Sequence, residues 1–189
     1  MKKWIALLLV LALAMTATAC SCQKQPTPAD GATETTKGQD APKTLPGTME
    51  ENINKIVAKN PAEFMGAVIP VDLKDSSEEG LWALKSYTGL ASAEKITDAA
   101  VYEPMTGSQA FSLVLVRVAS GADAKTVARE MKENIDPRKW ICAQADQIVA
   151  AGFGDTVMFI MLDSQLGKTA QSYVDAFEAV CGGKPDFTI

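Results

Sequence analysis

The segment 110–118, AFSLVLVRV, constrains the fold more than any other part of the chain. Alternate residues of a β-strand point to opposite faces of a sheet. Here both sets are apolar, one beginning with Phe111 and the other with Val114, and the segment 157–162, VMFIML, is apolar throughout. A sheet covered on one face only would alternate apolar with polar residues. We therefore expect a sheet that is covered on both faces.

The two apolar segments belong to a pattern that occurs twice. Two strands and a helix are predicted in each half of the pattern, at 97–103, 110–118 and 122–135 and again at 146–151, 156–163 and 168–181. A shift of 46 positions places apolar on apolar, as in Phe111 on Val157, Val114 on Ile160, Val127 on Tyr173 and Met131 on Phe177. The sequence predicts an α+β fold with a four-stranded, antiparallel-rich sheet built from a repeated strand-strand-helix unit, its two helices on one face.

Two further helices are predicted before the repeated unit. One covers 49–59 and the other 77–87, where Leu81, Trp82 and Leu84 are apolar and Gly89 follows as a stop. Their apolar stripes need a surface to pack against, so we expect them to cover the second face of the sheet. The alternative is a second subunit on that face, which would form a homodimer.

The N-terminus has the composition of an export signal. Lys2 and Lys3 precede an apolar run of eleven residues, 4–14. This run is shorter than the roughly 20 residues that a membrane-spanning helix needs, and it suits the apolar region of a signal peptide.

The residues after this run, Ala-Thr-Ala-Cys at 17–20, resemble a bacterial lipobox. In that class of export signal the cysteine thiol receives a diacylglyceryl group and the leader is cut before it. The usual lipobox has Leu three positions before the cysteine, where this chain has Ala17. We predict a lipoprotein signal peptide at 1–19 and lipid attachment to Cys20. The alternative is a secreted protein that is cut before Cys20.

The segment that follows the lipobox has little to bury. Residues 23–48 contain four prolines and six threonines, and Leu45 is their only large apolar residue. Such a segment cannot offset its ordering entropy, and as a flexible coil its 26 residues would reach about 28 Å. We predict a lipidated cysteine and disordered tether at 20–48, in which Cys22 is incidental, and a single α+β domain at 49–189.

Composition excludes several kinds of chemistry. The chain has no histidine, which rules out Ser-His-Asp and Cys-His catalysis and any zinc site that uses histidine. Loss of Lys2 and Lys3 with the leader would change the formal charge from −5 to −7, so we expect no nucleic-acid partner. The acidic residues do not cluster as a cation-binding loop requires, and we expect neither a metal nor a cofactor.

Cys142 and Cys181 leave two alternatives open. Outside the cytoplasm they could form a disulfide that closes a loop of about 40 residues. Cysteine is also a common buried residue, and Cys181 matches Ile135 in the repeat. The sequence does not decide between a disulfide and two buried thiols.

The best candidate for recognition is a loop after the first helix of the repeat. Asp136 and Pro137 end that helix, which places Arg138, Lys139 and Trp140 in a loop of an otherwise acidic protein. A tryptophan beside cations can stack on a sugar ring or bind an anionic polymer. In the alternative, the tryptophan folds inward and closes the end of the sheet.

The layout of lipobox, polar tether and repeated unit resembles a known group of proteins. Together with YTGL at 87–90, AFSLVLVRV at 110–118 and CGG at 181–183, it is similar to the small lipoproteins of Gram-positive anaerobes grouped as domain of unknown function four-three-five-eight. The similarity covers about residues 50–185. It implies an envelope lipoprotein with no assigned activity and supplies no catalytic residue.

The sequence favours a lipoprotein held at the outer face of the cell membrane, acting as a non-catalytic binding module for an envelope protein or a cell-wall component. The alternative is a histidine-free envelope hydrolase or transferase. A deep pocket with converging acidic, lysine or serine side chains would favour the enzyme, and a flat surface with exposed Trp140 would favour the binding module. A homodimer through an uncovered sheet face is a third hypothesis.

Overall fold

The computed structural model describes residues 43–189 of the chain. This part contains four α-helices and six strands. The helices are α1 (Met49–Lys59), α2 (Glu78–Thr88), α3 (Ala124–Asn134) and α4 (Ala170–Cys181). The strands are β1 (Gly66–Pro70), β2 (Ile96–Pro104), β3 (Phe111–Val118), β4 (Gln147–Phe153), β5 (Thr156–Leu162) and β6 (Phe187–Thr188), and a 3-10 turn spans Ser164–Leu166. No helix in this part of the chain has the length and apolar character needed to cross a membrane.

Several predictions fall on residues 1–42, which lie outside the described residues. They are the signal peptide at 1–19, the lipid attachment at Cys20, the incidental Cys22 and the tether as far as residue 42.

Each of the four helices begins after a side chain that caps it. The capping oxygen accepts a hydrogen bond from the backbone N–H three residues later, at Thr48, Ser77, Asp123 and Thr169. The predicted stop at Gly89 is confirmed, with a φ of 76°.

The strands form one sheet, antiparallel at every pairing, in the order β1-β2-β3-β5-β4-β6. The predicted α+β class is confirmed, and the four predicted strands are the middle four of this sheet. Its two edge strands were not predicted as part of it. β1 overlaps a short apolar stretch that Pro70 interrupts, and the two residues of β6 are too few to show a pattern.

Apolar side chains fill both sides of the sheet. Along β3, Leu113 and Leu115 pack into a core with α1 and α4, and Val114 and Val116 pack into a second core with α2 and α3. Every residue of β5 is buried. The expectation of a sheet covered on both faces is therefore confirmed, and helices of this same chain cover it.

The helices are distributed differently from the expectation, which placed α3 and α4 together on one face. Instead α1 pairs with α4 on one face and α2 with α3 on the other. The register explains this, because β3 and β5 are antiparallel and Val114 lies opposite Phe159. Its match in the repeat, Ile160, is one residue further along and points to the other face. The second copy of the unit therefore packs on the opposite side.

The coverage of both faces also bears on the expected homodimer. That hypothesis rested on an uncovered sheet face, and in residues 43–189 helices cover both. The homodimer therefore stays a prediction, but it is no longer supported by an uncovered sheet face.

The last part of the predicted tether, 43–48, belongs to the folded body. Leu45 is 3% exposed in the core beneath α1 and α4. Arg117 Nη2 donates to the carbonyl oxygens of Leu45 at 2.7 Å and Gly47 at 2.8 Å, and its Nη1 is paired with Asp155 at 3.0 Å. The folded body therefore includes residues ahead of the expected boundary at residue 49. One apolar side chain and two carbonyl acceptors hold a segment whose composition alone predicts disorder.

Candidate functional site

A cavity of about 500 Å³ opens at one end of the sheet, between α2, the end of β2 and the loop after α3. Its walls carry Trp82 and Tyr87 from α2 and Trp140 from the loop, and Glu103 and Lys139 also line it. We call this cavity the aromatic pocket. It combines three aromatic rings with charged groups, as small-molecule sites often do.

Lys139 turns inward from the loop. Its Nζ lies 2.6 Å from Glu103 Oε1 and donates to the carbonyl oxygen of Ser86 at 2.9 Å and to Ser112 Oγ at 3.4 Å. Among the described residues, this ammonium is the only partner of the buried Glu103 Oε1, in an ion pair rather than a well-directed hydrogen bond. An ammonium has three hydrogens, and three oxygens surround this one.

Two aromatic rings also face this ammonium. Lys139 Nζ lies 5.3 Å from the ring centroid of Tyr87 and 5.3 Å from that of Trp140, within the range of cation–π attraction. Burial lowers the pKa of Lys139, and the nearby Glu103 carboxylate acts in the opposite direction. Burial also raises the pKa of Tyr87, with a further contribution from Glu103. The charge is thus held by a carboxylate and two rings.

The structure separates the three residues of the predicted recognition loop. Arg138 is exposed, and its backbone N–H donates to Asp136 Oδ1 at 2.9 Å. Lys139 is only 10% exposed along its side chain. Trp140 is half-buried, packed against the core of α2 and α3, with part of its surface in the aromatic pocket. Neither predicted alternative, an exposed ring or a ring folded inward, describes Trp140 fully. The ring packs against the core, and part of it remains accessible in the pocket.

Trp82 is the residue of this site that the sequence interpretation missed. It is 68% exposed on α2, whereas Leu84 is 4% exposed in the core. Both were expected to belong to the apolar stripe of this helix. Positions two apart in a helix lie on nearly opposite sides, so the spacing itself could have shown that Trp82 faces solvent. Glu103 carried no such signal, because its role depends on which helix covers the end of β2.

The two cysteines of the body are free thiols in the structure. Cys142 is exposed, with a φ of 58°, in the loop after Trp140. Cys181 is the last residue of α4, and burial raises its pKa to about 12. The structure therefore has no disulfide between them, and it has no fully buried thiol at either position, because Cys181 is half-buried and Cys142 is exposed.

The aromatic pocket and residue 43 lie at opposite ends of the sheet. Ser112, beside Lys139, is near the start of β3, whereas Arg117, which holds Leu45, is near its end. The distance along the strand between these two positions is about 17 Å, at roughly 3.3 Å per residue. A second cavity, of about 720 Å³, lies at the Arg117 end and includes Thr44.

Within residues 43–189, no three His, Cys, Asp or Glu side chains come together in a way that could hold a metal ion. No family model matches the chain, and neither a curated protein nor a solved structure matches it. The resemblance to the small lipoproteins of Gram-positive anaerobes therefore stays a prediction.

Proposed function

We propose that the protein is an extracytoplasmic lipoprotein, anchored through Cys20 to the outer face of the cell membrane, that binds a component of the cell envelope through the aromatic pocket. One observation carries this proposal. The described chain joins the body at the Arg117 end of the sheet, and the aromatic pocket opens at the other end. A chain anchored ahead of residue 43 would therefore join the body at the end of the sheet opposite the pocket.

The character of the pocket supports binding rather than catalysis. Trp82 presents an exposed ring, which is a typical anchor for a ligand. The two most buried charges of the pocket, on Glu103 and Lys139, form an ion pair with each other. The Lys139 ammonium is already held by Glu103, the carbonyl oxygen of Ser86 and Ser112 Oγ, which leaves little of it exposed to a substrate.

A histidine-free hydrolase or transferase remains the second candidate, and a specific observation favours it. Glu103 and Lys139 converge in a pocket, and burial lowers the pKa of the lysine, as it does for lysines that act as bases or nucleophiles. Replacing both residues, Glu103→Met with Lys139→Met, separates the candidates. Turnover of envelope material by the parent protein that this variant lacks would identify an enzyme, whereas wall binding by the parent protein without turnover would identify a binding module.

The anchor is tested by fractionation of cells that express the full chain. Cys20→Ser should release the protein from the membrane fraction or stall its processing, and Cys22→Ser should leave both unchanged. Membrane retention of a normally processed Cys20→Ser protein would contradict the lipid anchor.

The binding role is tested with purified full-length protein and isolated cell walls. We expect the protein to sediment with the walls, and Trp82→Ala to reduce that fraction. The matched control is Leu81→Ala, because Leu81 is the neighbouring exposed residue on α2 and does not line the pocket. Equal sedimentation of both variants would remove the aromatic pocket from the proposal.

A further inference from the structure

We infer that the aromatic pocket takes an uncharged saccharide, whose ring stacks on Trp82 and whose hydroxyls bind the polar groups around it. This inference rests on the proposed function, because it names the ligand class of the same site.

The charges of the pocket balance. Four charged side chains line it, Lys85, Glu103, Asp136 and Lys139, and they carry two charges of each sign. Lys139 and Glu103 form an ion pair, so the ammonium cannot serve an anionic ligand without leaving its carboxylate alone. Lys85 and Asp136 are exposed lining residues of opposite sign. The pocket as a whole therefore has no net positive charge to attract an anionic polymer.

A cationic ligand meets the opposite difficulty. Aromatic rings with nearby carboxylates are typical of sites for quaternary ammonium groups. In this pocket, however, Tyr87 and Trp140 already face the ammonium of Lys139, each at 5.3 Å, and Glu103 is its ion-pair partner. The protein's own cation fills the place that a ligand cation would take. These arguments disfavour an anionic and a cationic ligand, and neither of them excludes a neutral one.

The remaining groups of the pocket suit a molecule with an apolar face and a polar edge. Trp82 offers an indole face that is 68% exposed, and the C–H face of a sugar ring can stack on it. Lys85 Nζ, Trp82 Nε1 and Asn134 Oδ1 have no hydrogen-bond partner among residues 43–189, although Asn134 Nδ2 donates to the carbonyl oxygen of Glu130. Hydroxyl groups both donate and accept, so they can use the donors and the acceptor together.

The volume agrees with a small ligand. The pocket encloses about 500 Å³, within the range of roughly 300–1,000 Å³ that is usual for small-molecule sites. A short saccharide, or the end of a longer glycan, is the appropriate size class.

The positions of the tryptophans make the ligand class measurable. The chain has three: Trp4 in the predicted leader, and Trp82 and Trp140, which both line the aromatic pocket. In full-length protein with Trp4→Phe, tryptophan emission reports on the pocket alone. The protein is kept in a polyoxyethylene detergent, which carries neither sugar nor charge. It is titrated separately with oligomers of N-acetylglucosamine, with maltose-type oligomers, with polyphosphate and with choline.

We expect a saturable change in emission with a neutral saccharide and none with polyphosphate or choline at the same concentration. Trp82→Ala should weaken saccharide binding roughly five- to tenfold, followed by the emission of Trp140 and by calorimetry. Leu81→Ala should bind as the parent does. Saturation by polyphosphate or choline, with no response to any neutral saccharide, would overturn the inference.

Competition on isolated cell walls separates the two proposals. A neutral saccharide that releases the protein from walls supports both. Wall binding that depends on Trp82 but that no neutral saccharide releases overturns the saccharide class and leaves the proposed binding role in place. A protein that binds neither walls nor saccharides contradicts both.

Discussion

Lys139 is the residue whose environment most limits what the site can be, because its charge is buried against Glu103. We predict that Lys139→Met alone lowers the free energy of unfolding by about 3–5 kcal/mol, since it leaves a buried carboxylate without a partner. Lys139→Met combined with Glu103→Met should recover most of this loss, because replacing both members of a buried pair with apolar residues is close to neutral. Urea denaturation of the parent, the single and the double variants measures the difference.

The matched control for this prediction is an ion pair that water screens. Lys95 is paired with Glu130, and their side chains are 48% and 29% exposed. Lys95→Met should therefore change stability by less than about 1 kcal/mol. Equal losses for Lys95→Met and Lys139→Met, or no recovery in the double variant, would show that the Lys139 pair is not buried as described.

Cys181 gives a pH dependence whose sign follows from its burial. Burial raises the pKa of this thiol from 9.0 to about 12. Between these values the unfolded chain has lost the thiol proton and the folded chain retains it, so the contribution to stability falls as pH rises, by up to about 1.4 kcal/mol per pH unit. Below pH 9 this contribution is fully present.

We predict that Cys181→Ala makes the loss of stability between pH 9 and 12 less steep than in the parent, as measured by denaturant midpoints across that range. The comparison between variants matters, because the raised pKa of Tyr173 and of Tyr102 acts in the same direction. Cys142→Ala, which removes an exposed thiol, is the matched control. An unchanged slope in Cys181→Ala would argue that the thiol is solvated.

At the scale of elements, the ends of α2 and α4 offer a direct comparison. Both helices end at a glycine with positive φ, 76° at Gly89 and 70° at Gly182. A Cβ at Gly89 would lie 2.6 Å from the carbonyl oxygen of Met131 and 3.1 Å from the backbone nitrogen of Ile135, whereas no atom lies within 4 Å of a Cβ at Gly182. Only the first glycine lets two helices approach closely.

We predict that Gly182→Ala lowers the free energy of unfolding by about 1–2 kcal/mol, the strain of a left-handed residue that carries a Cβ. Gly89→Ala adds the displacement of α2 from α3 and should lower it by about 2–5 kcal/mol. Thermal and urea unfolding of the two variants measure the difference. Similar losses in both would mean that α2 can shift away from α3 at little cost.

The elements themselves were largely predictable, and their arrangement was not. The long apolar runs of β3 and β5 identified two central strands and a sheet buried on both faces, because period-two patterning reports directly on burial. The faces that α3 and α4 cover depend on the register of β3 with β5, which no local pattern reveals. The site shows the same limit. Lys139 and Trp140 stand out in sequence, but Glu103 joins them only because of the tertiary arrangement.

At the scale of the whole molecule, the two ends of the sheet have different tasks in the proposed function. One end receives the chain, where Arg117 binds two carbonyl groups of the segment 43–48, and the other carries the aromatic pocket. The tether leaves the body at the Arg117 end only if the segment 43–48 is held there. The segment 43–48 should therefore contribute measurably to folding.

A chain that begins at residue 48 tests this contribution, because it keeps Thr48, the capping residue of α1, and loses Leu45 and Gly47. Exposure of the core beneath Leu45 costs about 1.5–3 kcal/mol, and loss of two acceptors of the partly buried Arg117 costs about 1–3 kcal/mol more. We predict that it is less stable by about 2.5–6 kcal/mol than a chain that begins at residue 43, measured by urea unfolding. Leu45→Ala in the longer chain should reproduce only the apolar part of the loss. Equal midpoints for the two chains would mean that the segment rests on the body without stabilising it, and the attachment of the tether at the Arg117 end would lose its physical basis.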